Sequence, residues 1–163
     1  VQYSTFQKIW KSALLDSNRT GGRIETRVVS ALAGGSCVEA SKRLLSELHD
    51  KLKGQPARLA LVFASTSQPL GELMPLLAAG LPGAVVAGCS TAGEFTERGD
   101  AKGSVSAFVL SGDFEVQAGF GTGLKANLEA AVTEAVAPLK ASVEGYKYRT
   151  VIMLLDTLSG NAE

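Results

Sequence analysis

Residues 59 to 64 read Leu-Ala-Leu-Val-Phe-Ala, an unbroken apolar run that stops at Ser65-Thr66-Ser67. A run of that length is far too short to cross a bilayer. It suits a strand covered on both faces of a sheet, because a strand with one wet face would alternate instead. Ala84 to Ala87 and Val151 to Leu155 read the same way. Two-sided cover is what helices provide, so the other segments are expected to supply them.

They do so in alternation with the strands. Arg23 to Ala33 holds Ile24, Val28, Val29, Ala31 and Leu32 and reads as the first strand. Ser36 begins a helix that runs to about Lys53. Ser36 with Glu39 fits a capping box, and Val38, Ser41, Leu44, Leu45, Leu48 and Leu52 fall on one face. Gly54 is placed to end it. A second helix is expected from about Pro69 to Ala79, and Leu81-Pro82-Gly83 turns into the next strand. Gly103 to Leu110 and Phe114 to Phe120 flank a short Ser111-Gly112-Asp113 turn, the spacing of an antiparallel hairpin. Lys125 to Lys140 reads as an Ala-rich helix with Leu128, Ala131, Val132, Ala135, Val136 and Leu139 inward. The fold class is therefore α/β. Its sheet is mixed, with a parallel β-α-β-α-β first part, a central antiparallel hairpin and flanking helices.

Residues 1 to 22 stand apart as an N-terminal arm or short helix. Phe6, Ile9, Trp10, Ala13 and Leu14 follow each other at three and four residues, and Asp16 to Gly22 reads as a turn. Residues 23 to 163 form the α/β domain. The chain starts at Val1 and stops at Glu163 with no closing helix, as a fragment or an ordered part of a longer protein would.

Charge and composition narrow the functions. Sixteen basic residues balance sixteen acidic ones, and no basic stripe is interleaved with aromatics, which argues against nucleic acid as a partner. No apolar run approaches the roughly 20 residues of a membrane span, and Lys8, Lys11 and Asp16 interrupt any secretory signal. Cys37 and Cys89 form no CxxC pair, and the single histidine, His49, cannot complete a zinc site of ordinary spacing. The expectation is a reduced, cytoplasmic protein.

The candidate site centres on Gly88-Cys89-Ser90-Thr91-Ala92-Gly93-Glu94. A buried strand ends there in small and polar residues. Gly88 and Gly93 allow close backbone approach, Cys89, Ser90 and Thr91 bring a thiol and two hydroxyls, and Glu94 offers a carboxylate to a ligand ammonium group. The competing reading is a turn whose hydroxyls satisfy its own backbone. Ser65 ends a second strand. Asp156, Ser159 and Asn161 follow a third, where a helix N-terminus would suit an anion. Three such strand ends would converge on one pocket if the strands are neighbours. Catalysis through Cys89 requires a base, and only His49 offers an imidazole, from the middle of a helix. Gly119-Phe120-Gly121-Thr122-Gly123 departs from both dinucleotide and P-loop patterns and reads as a mobile turn before a helix.

The Gly88 to Glu94 run resembles the FIST family of sensory domains. The strand at Leu59 to Ser65, the Leu81-Pro82-Gly83-Ala84 turn and the Leu155-Asp156-Thr157-Leu158-Ser159-Gly160-Asn161 run support the resemblance in that order. It covers residues 24 to 163. It implies an intracellular sensory module that binds a small ligand, of the amino-acid or small-carboxylate class, for signal transduction. It also implies completion by a C-terminal half, in the same protein or a second chain, and a signalling partner such as a kinase or cyclase. Some members of the family are haem sensors of gas, and here His49, Cys37 or Cys89 would have to be the axial ligand. The remaining alternatives are a hydrolase or transferase whose nucleophile is Cys89, Ser90 or Thr91, and a purely structural half that docks on its partner half.

Overall fold

In the computed structural model, residues 25–97 and 99–155 are described in full and residues 6–13 by their backbone. The elements are β1 (Phe6–Ala13), β2 (Arg27–Ala33), α1 (Cys37–Leu52), β3 (Leu59–Ser65), α2 (Leu70–Gly80), β4 (Val85–Thr91), β5 (Glu94–Thr96), β6 (Gly99–Ala101), β7 (Val105–Ser111), β8 (Phe114–Gly121), α3 (Leu128–Val136) and β9 (Tyr148–Leu154). They divide into two compact units, Gly21–Asp113 and Val1–Thr20 with Phe114–Glu163.

The first unit is a four-stranded sheet in the order β2-β7-β3-β4. β3 and β4 are parallel, and both β2 and β3 run antiparallel to β7. The β-α-β-α-β stretch thus runs in one direction, but β7 is inserted between its first two strands. The protein is α/β with a mixed sheet. The expected pairing of residues 103–110 with 114–120 does not occur. A strand has two edges, and β2 and β3 occupy both edges of β7, so β8 pairs with β1 instead. The antiparallel hairpin lies earlier, where Glu94 faces Ala101 and Thr96 faces Gly99.

Local chemistry sets the helices of this unit. At the start of α1, Glu39 N–H donates to Ser36 Oγ at 3.4 Å and Ser36 N–H donates back to Glu39 Oε2 at 3.1 Å, the expected capping box. The helix ends in a left-handed turn that begins at Lys53 (φ 51°) and continues through Gly54 (φ 80°). Its buried stripe is Cys37, Ala40, Ser41, Leu44, Leu48 and Leu52, whereas Val38 is half exposed. Val38 lies outside because the stripe follows the i, i+4 row of 40, 44 and 48. In α2, Leu73 and Leu77 are inward. A β-carbon at Gly80 would stand 2.3 Å from Leu45 Cδ1, so α2 ends hard against α1. The core joins Leu44, Leu48, Leu73 and Leu77 to the even residues of β3 (Ala60, Val62, Ala64) and the odd residues of β7 (Val105, Ala107, Val109).

The second unit is a three-stranded antiparallel sheet, β8-β1-β9. Residues Phe6–Ala13 form a strand and not the helix their spacing suggests. Eight residues make a marginal helix alone, and β1 is laddered along both edges. α3 lies on β8. β-carbons at Gly119 and Gly121 would come within 1.8 Å of Ala135 O and 1.9 Å of Ala131 O. The glycine-rich stretch is therefore mostly strand, and its missing side chains admit a helix backbone. At that approach the fully buried residues of the helix are Ala131 and Ala135, with Val132 partly buried beside them, while Leu128 stays exposed. Asn127 Oδ1 caps the helix by accepting from Ala130 N–H at 3.0 Å.

Candidate functional site

Side chains alternate across a strand, so the four-stranded sheet has a second face. Leu61 and Phe63 of β3, Ser106 and Phe108 of β7, Ser30 of β2 and Cys89 and Thr91 of β4 point away from the α1–α2 core. Register places them side by side: Ser30 beside Phe108, Phe108 beside Leu61, Ser106 beside Phe63 and Phe63 beside Cys89. Among the described residues, no helix of this unit covers that face. The β5–β6 hairpin does, and beneath it lies a hollow of about 600 Å³. Ser30, Leu61, Phe63, Ser106 and Phe108 form its floor, and Thr91, Gly93, Glu94, Phe95, Thr96 and Glu97 form its rim and roof.

Glu94 holds this arrangement together. Its side chain is only 1% exposed. Oε1 accepts from Thr91 Oγ1 at 2.7 Å, and Oε2 accepts from Ser104 N–H at 3.2 Å and Ser104 Oγ at 3.1 Å. A buried carboxylate would be costly without such partners. Here it ties the end of β4, the start of β5 and the approach to β7 into one corner. Three of the roughly four acceptor sites of a carboxylate are taken by the protein. A second tie joins the hairpin to β2, with Ser30 Oγ donating to Glu97 Oε2.

The other sequence-derived candidates separate by face. Thr91 and Gly93 line the hollow with Glu94. Cys89 shares their face, and burial pushes its thiol pKa up, away from the thiolate that a nucleophile or metal ligand requires. Ser90 points the other way and is exposed. Gly88 serves the sheet itself: a β-carbon there would stand 2.0 Å from Val62 O. Ser65 is the register partner of Thr91. Its hydroxyl accepts from Ser67 N–H at 3.4 Å and Ser67 Oγ at 3.1 Å, a turn satisfying itself. Asp156, Ser159 and Asn161 lie outside the described residues.

His49 and Cys89 are not brought together. His49 belongs to α1, which packs on the opposite face, and its Nε2–H donates to Gly80 O at 2.9 Å, pinning the end of α2. Cys37 is buried in the first turn of α1, where burial and then the Glu72 carboxylate raise its thiol pKa. Among the described residues, no three His, Cys, Asp or Glu side chains are grouped to hold a metal ion. No helix among them is long and apolar enough to cross a membrane.

Sequence reasoning missed Ser30, Phe63, Ser104, Ser106 and Phe108. Alternation within β3 does put Leu61 and Phe63 on one face, which was the available signal. Ser104 carried none, because its role depends on a carboxylate ten residues earlier in the chain.

No curated protein matches the sequence. The FIST N domain family matches residues 58–163, a span that takes in β3 and the whole Gly88–Glu94 run. The match extends over more than half of the chain, which therefore belongs to the FIST N domain family, a family of sensory domains.

Proposed function

We propose that this chain is an intracellular sensory module that binds a small ligand beneath the β5–β6 hairpin and passes its occupancy to a signalling partner, such as a kinase or cyclase. The observation that carries the reading is the 600 Å³ hollow whose wall includes Thr91, Gly93 and Glu94. Its size is that of an ordinary small-molecule site, mostly apolar with a few polar groups. Within the amino-acid and small-carboxylate classes, the floor of Leu61, Phe63 and Phe108 favours members with an apolar side chain. The acceptor site left on Glu94 suits a ligand N–H. The roof is two strands of three residues each. A ligand that seals it to the floor would change how the hairpin presents Phe95, which is 76% exposed, to a partner or to a C-terminal half. A hydrolase or transferase reading gains nothing from the raised Cys89 thiol.

The test is a thermal-unfolding screen with apolar amino acids and small carboxylates. A ligand at 100 times its dissociation constant adds about 2.7 kcal/mol of stability. The expected result is a shift with at least one compound that Phe63→Ala removes. No shift with any compound, in protein that unfolds cooperatively, sinks the proposal.

A further inference from the structure

Two hollows meet at one edge of the four-stranded sheet. The second, of about 500 Å³, wraps around the edge strand β2 and shares Ser30, Glu97 and Phe108 with the first. Its walls differ in chemistry, adding Arg27 from β2, Lys51 from the last turn of α1 and Lys53 from the cap of that helix. Lys51 is already engaged: its Nζ donates to Ser30 O and lies 2.6 Å from Glu47 Oε1. Arg27 is loosely held. Its ion pair with the exposed Glu25 spans 3.7 Å, and its Nε is shielded from solvent with no hydrogen-bond partner. The rest of the side chain keeps 27% of its surface exposed and lines the hollow, within reach of a ligand there. Lys53 is exposed at the left-handed turn.

We infer that the ligand is an amphipathic anion, with an apolar body over Leu61, Phe63 and Phe108 and a carboxylate or similar head at Arg27 and Lys53. This inference rests on the apolar hollow being the ligand site and adds the sign and place of the head group. Arginine and lysine at a rim beside an apolar floor sort ligands by charge while the floor sorts them by bulk. Glu97 stands on the shared rim and opposes an anion there, so its bond from Ser30 Oγ matters in placing that charge.

The experiment uses three probes with one tail and different heads: decanoate kept monomeric, decanol and decyltrimethylammonium. Each is titrated calorimetrically into the wild-type chain and the R27Q/K53Q, E97Q and F63A variants. A charge-assisted hydrogen bond is worth about 1.5–3 kcal/mol, so decanoate is expected to bind at least about tenfold tighter than decanol. R27Q/K53Q should bring decanoate down to the decanol level and leave decanol unchanged. E97Q should tighten decanoate alone, and F63A should weaken both. Equal binding of decanoate and decanol, or tight decanoate binding that survives R27Q/K53Q, would overturn the anionic head and leave the apolar site standing. If none of the probes binds but an apolar amino acid or small carboxylate still raises the unfolding temperature, the inference falls and the site stands; if those compounds fail as well, both fall. Cosedimentation with phosphatidylglycerol vesicles without monomer binding would assign the charge to a bilayer surface and overturn the free-ligand form.

Discussion

The two faces of the four-stranded sheet are built from the same strands and have opposite fates. On one face, Ala60, Val62, Ala64, Val105 and Val109 meet Leu44, Leu48, Leu73 and Leu77, and each of these nine is at most 1% exposed. Small strand residues under leucines from two helices fill space at the density of a protein interior. On the other face stand larger side chains, Leu61, Phe63 and Phe108, yet a hollow remains. The difference lies in the cover: two helices carry many apolar side chains, while a hairpin of two three-residue strands carries few. The hollow over this face comes from thinning what lies above it, not from removing apolar residues from it.

The most damaging test strikes both faces at once. Gly88→Ala would press a methyl group against Val62 O, 2.0 Å away, and force β4 from β3. A cost above about 3 kcal/mol is expected, read as loss of cooperative unfolding or of soluble protein. A substitution that left the melting temperature unchanged would refute this account of the β3–β4 approach. The next test separates the faces. Leu48→Ala should cost about 2–5 kcal/mol and leave ligand affinity intact. Phe63→Ala, at a half-buried position on the floor of the hollow, should cost less than half as much and weaken binding. Similar stability losses in denaturant titrations would erase the distinction.

Smaller still is the effect of opening the corner. Glu94→Ala leaves Thr91 and Ser104 donors without their acceptor, at about 1–3 kcal/mol. Hydrogen exchange should rise in residues 94–101 and not in α1. The smallest effect belongs to the cap far from the hollow. Ser36→Ala should cost about 1 kcal/mol. Its pH dependence follows from Glu39, whose carboxyl pKa is lowered first by the Ser36 N–H and then by the Ser36 hydroxyl. The folded pKa lies below the unfolded one, so this contribution is fully present above the ordinary glutamate range and is lost as pH falls through the lowered value. The wild type should therefore lose more stability on acidification than Ser36→Ala does.

How much of this was legible beforehand varies with the range of the interactions. The Ser36–Glu39 box, most of the α1 stripe and the buried β3 strand were readable, because capping, periodicity and burial act over a few residues. The Val151–Leu155 run was not: it forms β9 as expected, but Val151 and Met153 are exposed, because what covers a strand is set by distant segments and not by its own apolar residues. The misplaced hairpin at Ser111-Gly112-Asp113 shows the limit. Turn chemistry permitted it, but β7 found partners in β2 and β3, more than 70 and 40 residues away at Ser30–Phe108 and Leu61–Phe108. Phe6–Ala13, read as an arm or a short helix, is a strand and not a helix for the same reason, since its two partner strands come from the other end of the chain. Thr91, Gly93 and Glu94 were singled out as part of a turn after a strand ending at Ala87; they line the hollow, but the strand itself runs on to Thr91, and its alternation separates Ser90 from them.

The sequence by itself determined where α1 caps, that β3 is buried, and that polar and glycine residues gather where the strand after Leu81-Pro82-Gly83 ends. Those features arise from neighbours along the chain. Only the tertiary structure decided that β7 sits between β2 and β3, that Glu94 is spent on Ser104 and Thr91, and that one sheet face lies under a hairpin instead of a helix. Each of these is a choice among distant partners that local propensity leaves open, because strand edges and buried carboxylates accept any partner the fold brings within reach.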